Sequence, residues 1–155
     1  MPREVIEFRA ADLEYLHKDF HGALSTGIEY LDTHFGEESV REYLRRFTRT
    51  YYAPLTEDIE RRGLIALKEH FERIYNLEGG RIDLTFSDDE MTLKVEACPA
   101  VTHMRKNGYP VARLFHETTK TVNEALCEGT PFAAELVEYD PETGRSVQRF
   151  YRRAA

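Results

Sequence analysis

The sequence predicts an α+β domain in which N-terminal helices precede a four-stranded antiparallel sheet. Three observations predict this class. Apolar residues recur at three- and four-residue spacing through residues 1–80. Two later stretches instead alternate apolar and polar residues around a turn signal, and another helical pattern separates them. We therefore expect one domain over residues 1–155, with a helical part over 1–80 and a hairpin, a helix and a second hairpin over 81–155.

The helical part divides at helix-breaking residues. A first helix is predicted over residues 11–34, with Asp12 as a cap. A second is predicted over residues 39–52, and Pro54 is expected to end it. The stretch "PLTEDIERRGLIALKEHFERIYNLEGG" predicts one or two more helices, bent or broken near Gly63 and ended by its last two glycines. One face of the first helix carries Leu13, Leu16, Phe20, Leu24, Ile28 and Leu31.

The second part changes to the two-residue period of strands. "RIDLTFSDDEMTLKVEAC" alternates around the turn signal "SDDE" and predicts a hairpin with one buried face. A helix should start near Pro110, end by Gly129 and cover the sheet. "FAAELVEYDPETGRSVQRFYRR" then reads as strand, loop and strand, because "DPETG" combines residues typical of tight connections.

Composition excludes several classes of function. The net charge of −7 argues against a nucleic-acid binder, because phosphate backbones are bound mainly through clustered Lys and Arg. No apolar run approaches the roughly 20 residues of a membrane span, so we expect a cytoplasmic protein without a membrane partner. Two cysteines, Cys98 and Cys127, are too few for a disulfide scaffold and fit a reducing compartment, where thiols bind metals or do chemistry.

Two short segments carry candidate metal ligands. In "HKDFH", His17 and His21 stand four positions apart, so both rings can face one side of the first helix. In "EACPAVTHMRKNG", Cys98 ends a strand and His103 follows five positions later. Thiolate and imidazole are zinc ligands, so His17, His21, Cys98 and His103 are predicted to bind Zn²⁺ if the two segments meet. Alternatively, the histidines are ordinary core or surface residues and Cys98 is a small buried side chain.

A third grouping lies on the helix after Pro110. His116, Asn123 and Cys127 form a stripe away from its apolar face. These are the residue types of a thiol-protease triad, but eleven residues of helix place His116 about 16 Å from Cys127, beyond hydrogen-bond reach. The stripe should instead face a second packing layer, a pocket or another subunit. A redox pair of Cys98 and Cys127 would require their Cα atoms to lie within about 7 Å.

The segments "VEACPAVTHMRKNG", "LCEG" and "FAAELVEYDPETGRSVQRFY", in this order after a set of helices, support a resemblance. The layout resembles the bacterial family named after L-2-amino-thiazoline-4-carboxylate hydrolase, and more distantly the small-molecule-binding domains named after vinyl reductase. The resemblance implies an α+β fold with a ligand pocket beside Cys98. It also implies hydrolysis of a small cyclic compound at a carbon–nitrogen or carbon–sulfur bond.

Two classes of function remain open. One is a metal-dependent or thiol-using enzyme on small molecules, which in the metal case needs an open coordination position. The other is a non-catalytic sensor or binding module with a structural metal or none. Tyrosines on the second and third helices also predict a homodimer.

Overall fold

The computed structural model describes the backbone of residues 19–155 and the side chains from residue 20 onward. It confirms the α+β class, since six helices and one antiparallel sheet make up this part of the chain. The helices are α1 (Asp19–Phe35), α2 (Glu37–Tyr51), α3 (Ala53–Arg62), α4 (Leu64–Glu78), α5 (Pro99–Lys106) and α6 (Glu117–Leu126). The strands are β1 (Ile82–Phe86), β2 (Glu90–Val95), β3 (Phe132–Tyr139) and β4 (Ser146–Arg152).

The helical part follows the sequence pattern closely. The start of the predicted first helix lies outside the described residues, and the remainder ends one residue later than expected. The break between α3 and α4 falls at Gly63, whose φ of 80° places it in the left-handed region that glycine tolerates. The role predicted for Pro54 is wrong. Helix α2 already ends at Tyr51, and Pro54 lies in the first turn of α3, where its missing N–H costs no helical hydrogen bond.

The two hairpins join into one sheet through their second strands. The strand order is β1-β2-β4-β3, and all neighbours are antiparallel. Gln148 on β4 lies between Leu93 on β2 and Leu136 on β3 in this register. A bulge between Leu136 and Glu138 shifts the register, so that Tyr139 pairs with Ser146. Because paired residues share a face, Tyr139 projects from the same side of the sheet as Ser146 and Gln148.

The segment between the hairpins contains one helix that was not predicted and one that begins later than predicted. Pro99 opens α5, a helix of eight residues, where the sequence reading had only a post-strand segment. The next helix, α6, starts at Glu117 and not near Pro110. Ser25 accounts for the delay, because its hydroxyl donates to the Pro110 carbonyl over 3.2 Å and accepts the Ala112 N–H over 2.8 Å. These bonds attach the segment between α5 and α6 to α1, and α6 begins only after it.

The buried apolar side chains form two clusters. The first lies on the sheet under α3, α4 and α6 and includes Leu67, Leu93 and Phe150. The second joins α1, α2 and α5 and includes Leu44 and Met104. Helix α6 packs on both β3 and α2, and so lies between the layers. No helix in the described part of the chain is long and apolar enough to cross a membrane.

Candidate functional site around Cys98

Cys98 occupies the position just before the first turn of α5. Its φ and ψ of −71° and 123° are extended, so its side chain turns back toward the start of the helix. The backbone N–H groups of Ala100 and Val101, at the start of α5, favour the thiolate. Burial opposes them and dominates, so the pKa of the Cys98 thiol is raised above its ordinary value. The resting group is therefore a protonated thiol that is already placed where an anion would be stabilised.

Two tyrosines from different elements lie near enough to Cys98 for their pKa values to respond to it. Tyr75 comes from the last part of α4, and Tyr139 comes from the end of β3. Burial, followed by the nearby Cys98, raises the pKa of both phenols, that of Tyr139 to about 12. Both side chains are neutral hydrogen-bonding groups at physiological pH. The bulge in β3 is what brings the second of them to this face.

A row of buried polar side chains forms the sheet side of the site. Asn123 on α6 donates through its side-chain amide to the Gln148 carbonyl oxygen over 2.8 Å. Gln148 in turn donates to the Ser146 hydroxyl over 3.0 Å. The Tyr75 hydroxyl lies near the same Gln148 side chain. Because buried amides are costly unless they are satisfied, the bonds of Gln148 to Asn123 and Ser146 fix the orientation of the row.

The loop between β3 and β4 packs directly on Cys98. The Thr143 carbonyl accepts the Cys98 N–H over 3.0 Å. Gly144 follows with a φ of 70°, and a Cβ at this position would overlap the Cβ of Cys98. Asp140 shapes the loop, since its carboxylate accepts the Glu142 N–H and the Thr143 hydroxyl, each over 3.0 Å. The backbone position of Cys98 is thus fixed from one side by α5 and from the other by this loop.

His116 and Glu117 lie beyond Tyr139. The centroid of the His116 ring is 5.8 Å from that of Tyr139, and its Nε2 is 3.6 Å from the Glu117 carboxylate. Glu117 is only 2% exposed. Its oxygens accept hydrogen bonds from Arg41 over 3.2 Å and from Thr121 over 2.6 Å. This is a charged pair inside the fold with a partly exposed imidazole beside it.

Asn123 and Cys127, two of the three residues of the predicted stripe, face a packing layer, whereas His116 precedes α6 and is partly exposed. Asn123 is buried against Gln148, and Cys127 is fully buried in the cluster on the sheet. Burial raises the pKa of the Cys127 thiol to about 12. Both cysteines are free, and Cys98 packs against the other apolar cluster. Of the two thiols, Cys98 is the partly accessible one.

The predicted zinc ligands are placed as follows. His17 lies outside the described residues. His21 lies with its Nε2 3.8 Å from the Glu78 carboxylate, and His103 lies on α5 with Asn107 beside its Nδ1. Within residues 20–155, no three His, Cys, Asp or Glu side chains group in a way that could bind a metal. His21, Cys98 and His103 therefore do not make a site by themselves, and the four-ligand set stays a prediction.

Two neighbouring cavities open beside this region. One of about 450 Å³ has Tyr75 in its wall, and a second of about 450 Å³ is bordered by Glu78, Pro99 and His103. They share Gly80, Arg81 and Glu96 as lining residues. Each has the volume of a site for a small molecule. Cys98 itself lines neither cavity, but its chain neighbours Ala97 and Pro99 line the second.

Sequence reasoning found Cys98 but missed Tyr75, Tyr139 and Gln148. One signal for Gln148 was available, because Ser146 and Gln148 occupy alternate positions with Phe150 and so face the core. Polar residues at core positions of a strand point to a buried network or a site. Comparison of the chain with protein-family models and with curated proteins finds no match. The resemblance to the hydrolase family accordingly stays a prediction.

Proposed function

We propose that this protein hydrolyses a small cyclic compound at a carbon–nitrogen or carbon–sulfur bond, with Cys98 as the nucleophile. The observation that supports this most is the position of the thiol. The N–H groups of Ala100 and Val101 at the start of α5 favour its thiolate form, and its chain neighbours Ala97 and Pro99 line a cavity of small-molecule size. Backbone N–H groups at a helix start stabilise both a thiolate and negative charge that develops on a neighbouring atom.

The proposed chemistry follows from the protonation states. Because burial keeps Cys98 protonated, its proton must leave when the sulfur bonds to the electrophilic ring carbon. In this proposal the proton reaches the His116 imidazole by way of Tyr139, whose ring centroid lies 5.8 Å from that of His116 and whose pKa responds to Cys98. The Glu117 carboxylate would stabilise the imidazolium, which then returns the proton to the leaving nitrogen or sulfur. Water completes hydrolysis of the bond to Cys98.

The test is a hydrolysis assay on a panel of small cyclic amidines, thiazolines and lactams. Cys98→Ser should lose about a thousandfold or more of the rate, as expected for loss of a thiol nucleophile. Cys127→Ala removes the other thiol and should retain the wild-type rate, because Cys127 is fully buried elsewhere. His116→Gln should lower the rate, because it removes the proposed proton acceptor. Turnover by Cys98→Ser at the wild-type rate would end the proposal.

A second candidate function is a small-molecule-binding module without catalysis. The observation that favours it is that Cys98, Tyr75 and Tyr139 are all neutral at physiological pH, because burial raises each pKa. A row of neutral donors and acceptors suits the recognition of a polar ligand. Ligand binding by the wild-type protein and by Cys98→Ser, with no turnover by either, would select this alternative.

The zinc hypothesis is tested separately. It draws support from the placement of His21 against Glu78, since Glu78 and His103 border the same cavity close to Cys98. Elemental analysis of untagged protein should show about one zinc per chain that is lost in His21→Ala. A metal-free wild-type protein would remove this hypothesis and leave Cys98 available as a nucleophile.

A further inference from the structure

A separate cavity of about 700 Å³ lies on the other side of the helical part, between the end of α2, α3 and α4. Its lining includes aromatic side chains, Tyr51 and Tyr52, and the basic side chains Arg61, Arg62 and Arg73. Neither the Cys98 site nor the two cavities beside it share any of these residues. Its volume falls within the range of small-molecule sites.

Two of the three arginines at this cavity are already paired with carboxylates. Arg61, Arg62 and Arg73 line it with two acids, Glu57 and Asp58, and Glu69 outside the lining bonds to Arg62 over 2.7 Å. Asp58 bonds to Arg61 and to Arg62, each over 2.7 Å, and these bonds hold the pKa of its carboxyl well below the usual range. It therefore stays ionised and fixes both guanidinium groups along the wall.

Arg73 is the cation that remains available to a ligand. Its Nη2 lies 3.5 Å from Nδ1 of His70, and among the described residues no carboxylate forms an ion pair with it. His70 is neutral at physiological pH, because burial, and then the charge of Arg73, lowers its pKa to about 4. Arg73 thus borders the cavity without a neutralising partner in this part of the chain. A guanidinium in this state suits a carboxylate or a phosphate.

The aromatic side of the cavity offers a stacking surface. Tyr51 is 70% exposed. One face of its ring stacks on Phe47, with centroids 5.3 Å apart and planes within 15°. The other face is therefore the exposed one. Tyr52 stands edge-on to Tyr51 and to His70, and so closes the space between the stacking surface and the basic wall.

We propose that this cavity binds a small aromatic anion, with its ring stacked on Tyr51 and its carboxylate or phosphate paired with Arg73. Stacking alone is weak in water, and a single exposed ion pair is also weak. Together they recognise a ligand only when both groups are on one molecule. The expected preference is thus for an aryl phosphate or aryl carboxylate over its separate parts.

The test is an NMR titration of backbone amides at low salt with phenyl phosphate, inorganic phosphate and phenol. Phenyl phosphate should bind saturably with a Kd at or below about 1 mM. The shifted amides should cluster on α3 and on the adjoining halves of α2 and α4. Arg73→Ala and Tyr51→Ala should each weaken binding by about tenfold. Arg46→Ala is the control, because Arg46 is exposed, pairs with Glu42 and does not line the cavity.

The outcomes separate the parts of the proposal. Equal affinity for inorganic phosphate and phenyl phosphate would overturn the stacking role of Tyr51. Equal losses in Arg73→Ala and Arg46→Ala would show that only net charge matters and would overturn the site. No saturation by about 10 mM phenyl phosphate would overturn it as well. None of these results depends on activity at Cys98.

Discussion

Replacement of Gly144 by alanine tests the packing of the β3–β4 loop on Cys98. The change adds one Cβ at a residue with a φ of 70°. A left-handed conformation costs an alanine about 1–2 kcal/mol. The new Cβ would also overlap the Cβ of Cys98 and lie 3.0 Å from Cγ2 of Val101, and such overpacking costs about a further 1–3 kcal/mol. Gly144→Ala should therefore lower the free energy of unfolding by about 2–5 kcal/mol.

Gly129→Ala is a matched control, since Gly129 has a φ of 75° and nothing within 4 Å of the position a Cβ would take. Gly129→Ala should lower the free energy of unfolding only by the cost of the left-handed conformation, about 1–2 kcal/mol. Urea unfolding of both variants measures the difference. Cys98→Gly removes the Cβ that the new methyl group would overlap. In a double-mutant cycle, Gly144→Ala should therefore lower the free energy of unfolding much less in the Cys98→Gly background than in the wild type. Equal losses in the two alanine variants, with no coupling to Cys98, would refute the contact.

Three further predictions concern other parts of the molecule. The pKa of His70 in the folded protein is about 4, below its ordinary 6.5, so stability that is present above pH 6.5 should be lost as the pH falls toward 4. Urea unfolding at several pH values should show that the wild type loses about 1–2 kcal/mol more over this range than His70→Gln, a figure reduced because solvent screens part of the charge. Asn123→Leu removes the donor to the buried Gln148 oxygen and should lower the free energy of unfolding by about 1–3 kcal/mol, and a neutral result would mean that water replaces the donor. The predicted homodimer can form through the outer face of α2, where Tyr43 and Tyr51 are exposed. In that case light scattering should give a dimer mass for the wild type and a monomer mass for the double variant Tyr43→Ser, Tyr51→Ser.

The fold could be predicted from the sequence because its signals are local. The change from helical to alternating spacing located both hairpins, and Gly63 located the break between α3 and α4. Helix α5 was missed because it is short and because Pro99 at a helix start gives the same signal as a proline that ends a strand. The late start of α6 was missed because it depends on Ser25, more than 80 residues away in the sequence.

The site could be predicted only in part. Cys98 was identified by its residue type and its place after a strand. Tyr139 could not be, because the bulge that turns it inward breaks the alternation on which the sequence argument depends. Gly144 packs on Cys98, and Tyr75 lies near it, through long-range packing that no local pattern records.

The most direct test of the account is the alkylation of the native protein with iodoacetamide, followed by peptide mapping, over a range of pH. We expect iodoacetamide to modify Cys98 and not Cys127. The rate of modification of Cys98 should keep rising above pH 9, because burial raises the pKa of this thiol. A cyclic compound that the protein hydrolyses should slow the alkylation of Cys98 when it is present. Equal modification of both thiols, or an unreactive Cys98 in a folded protein, would contradict the claim that Cys98 is the accessible nucleophile.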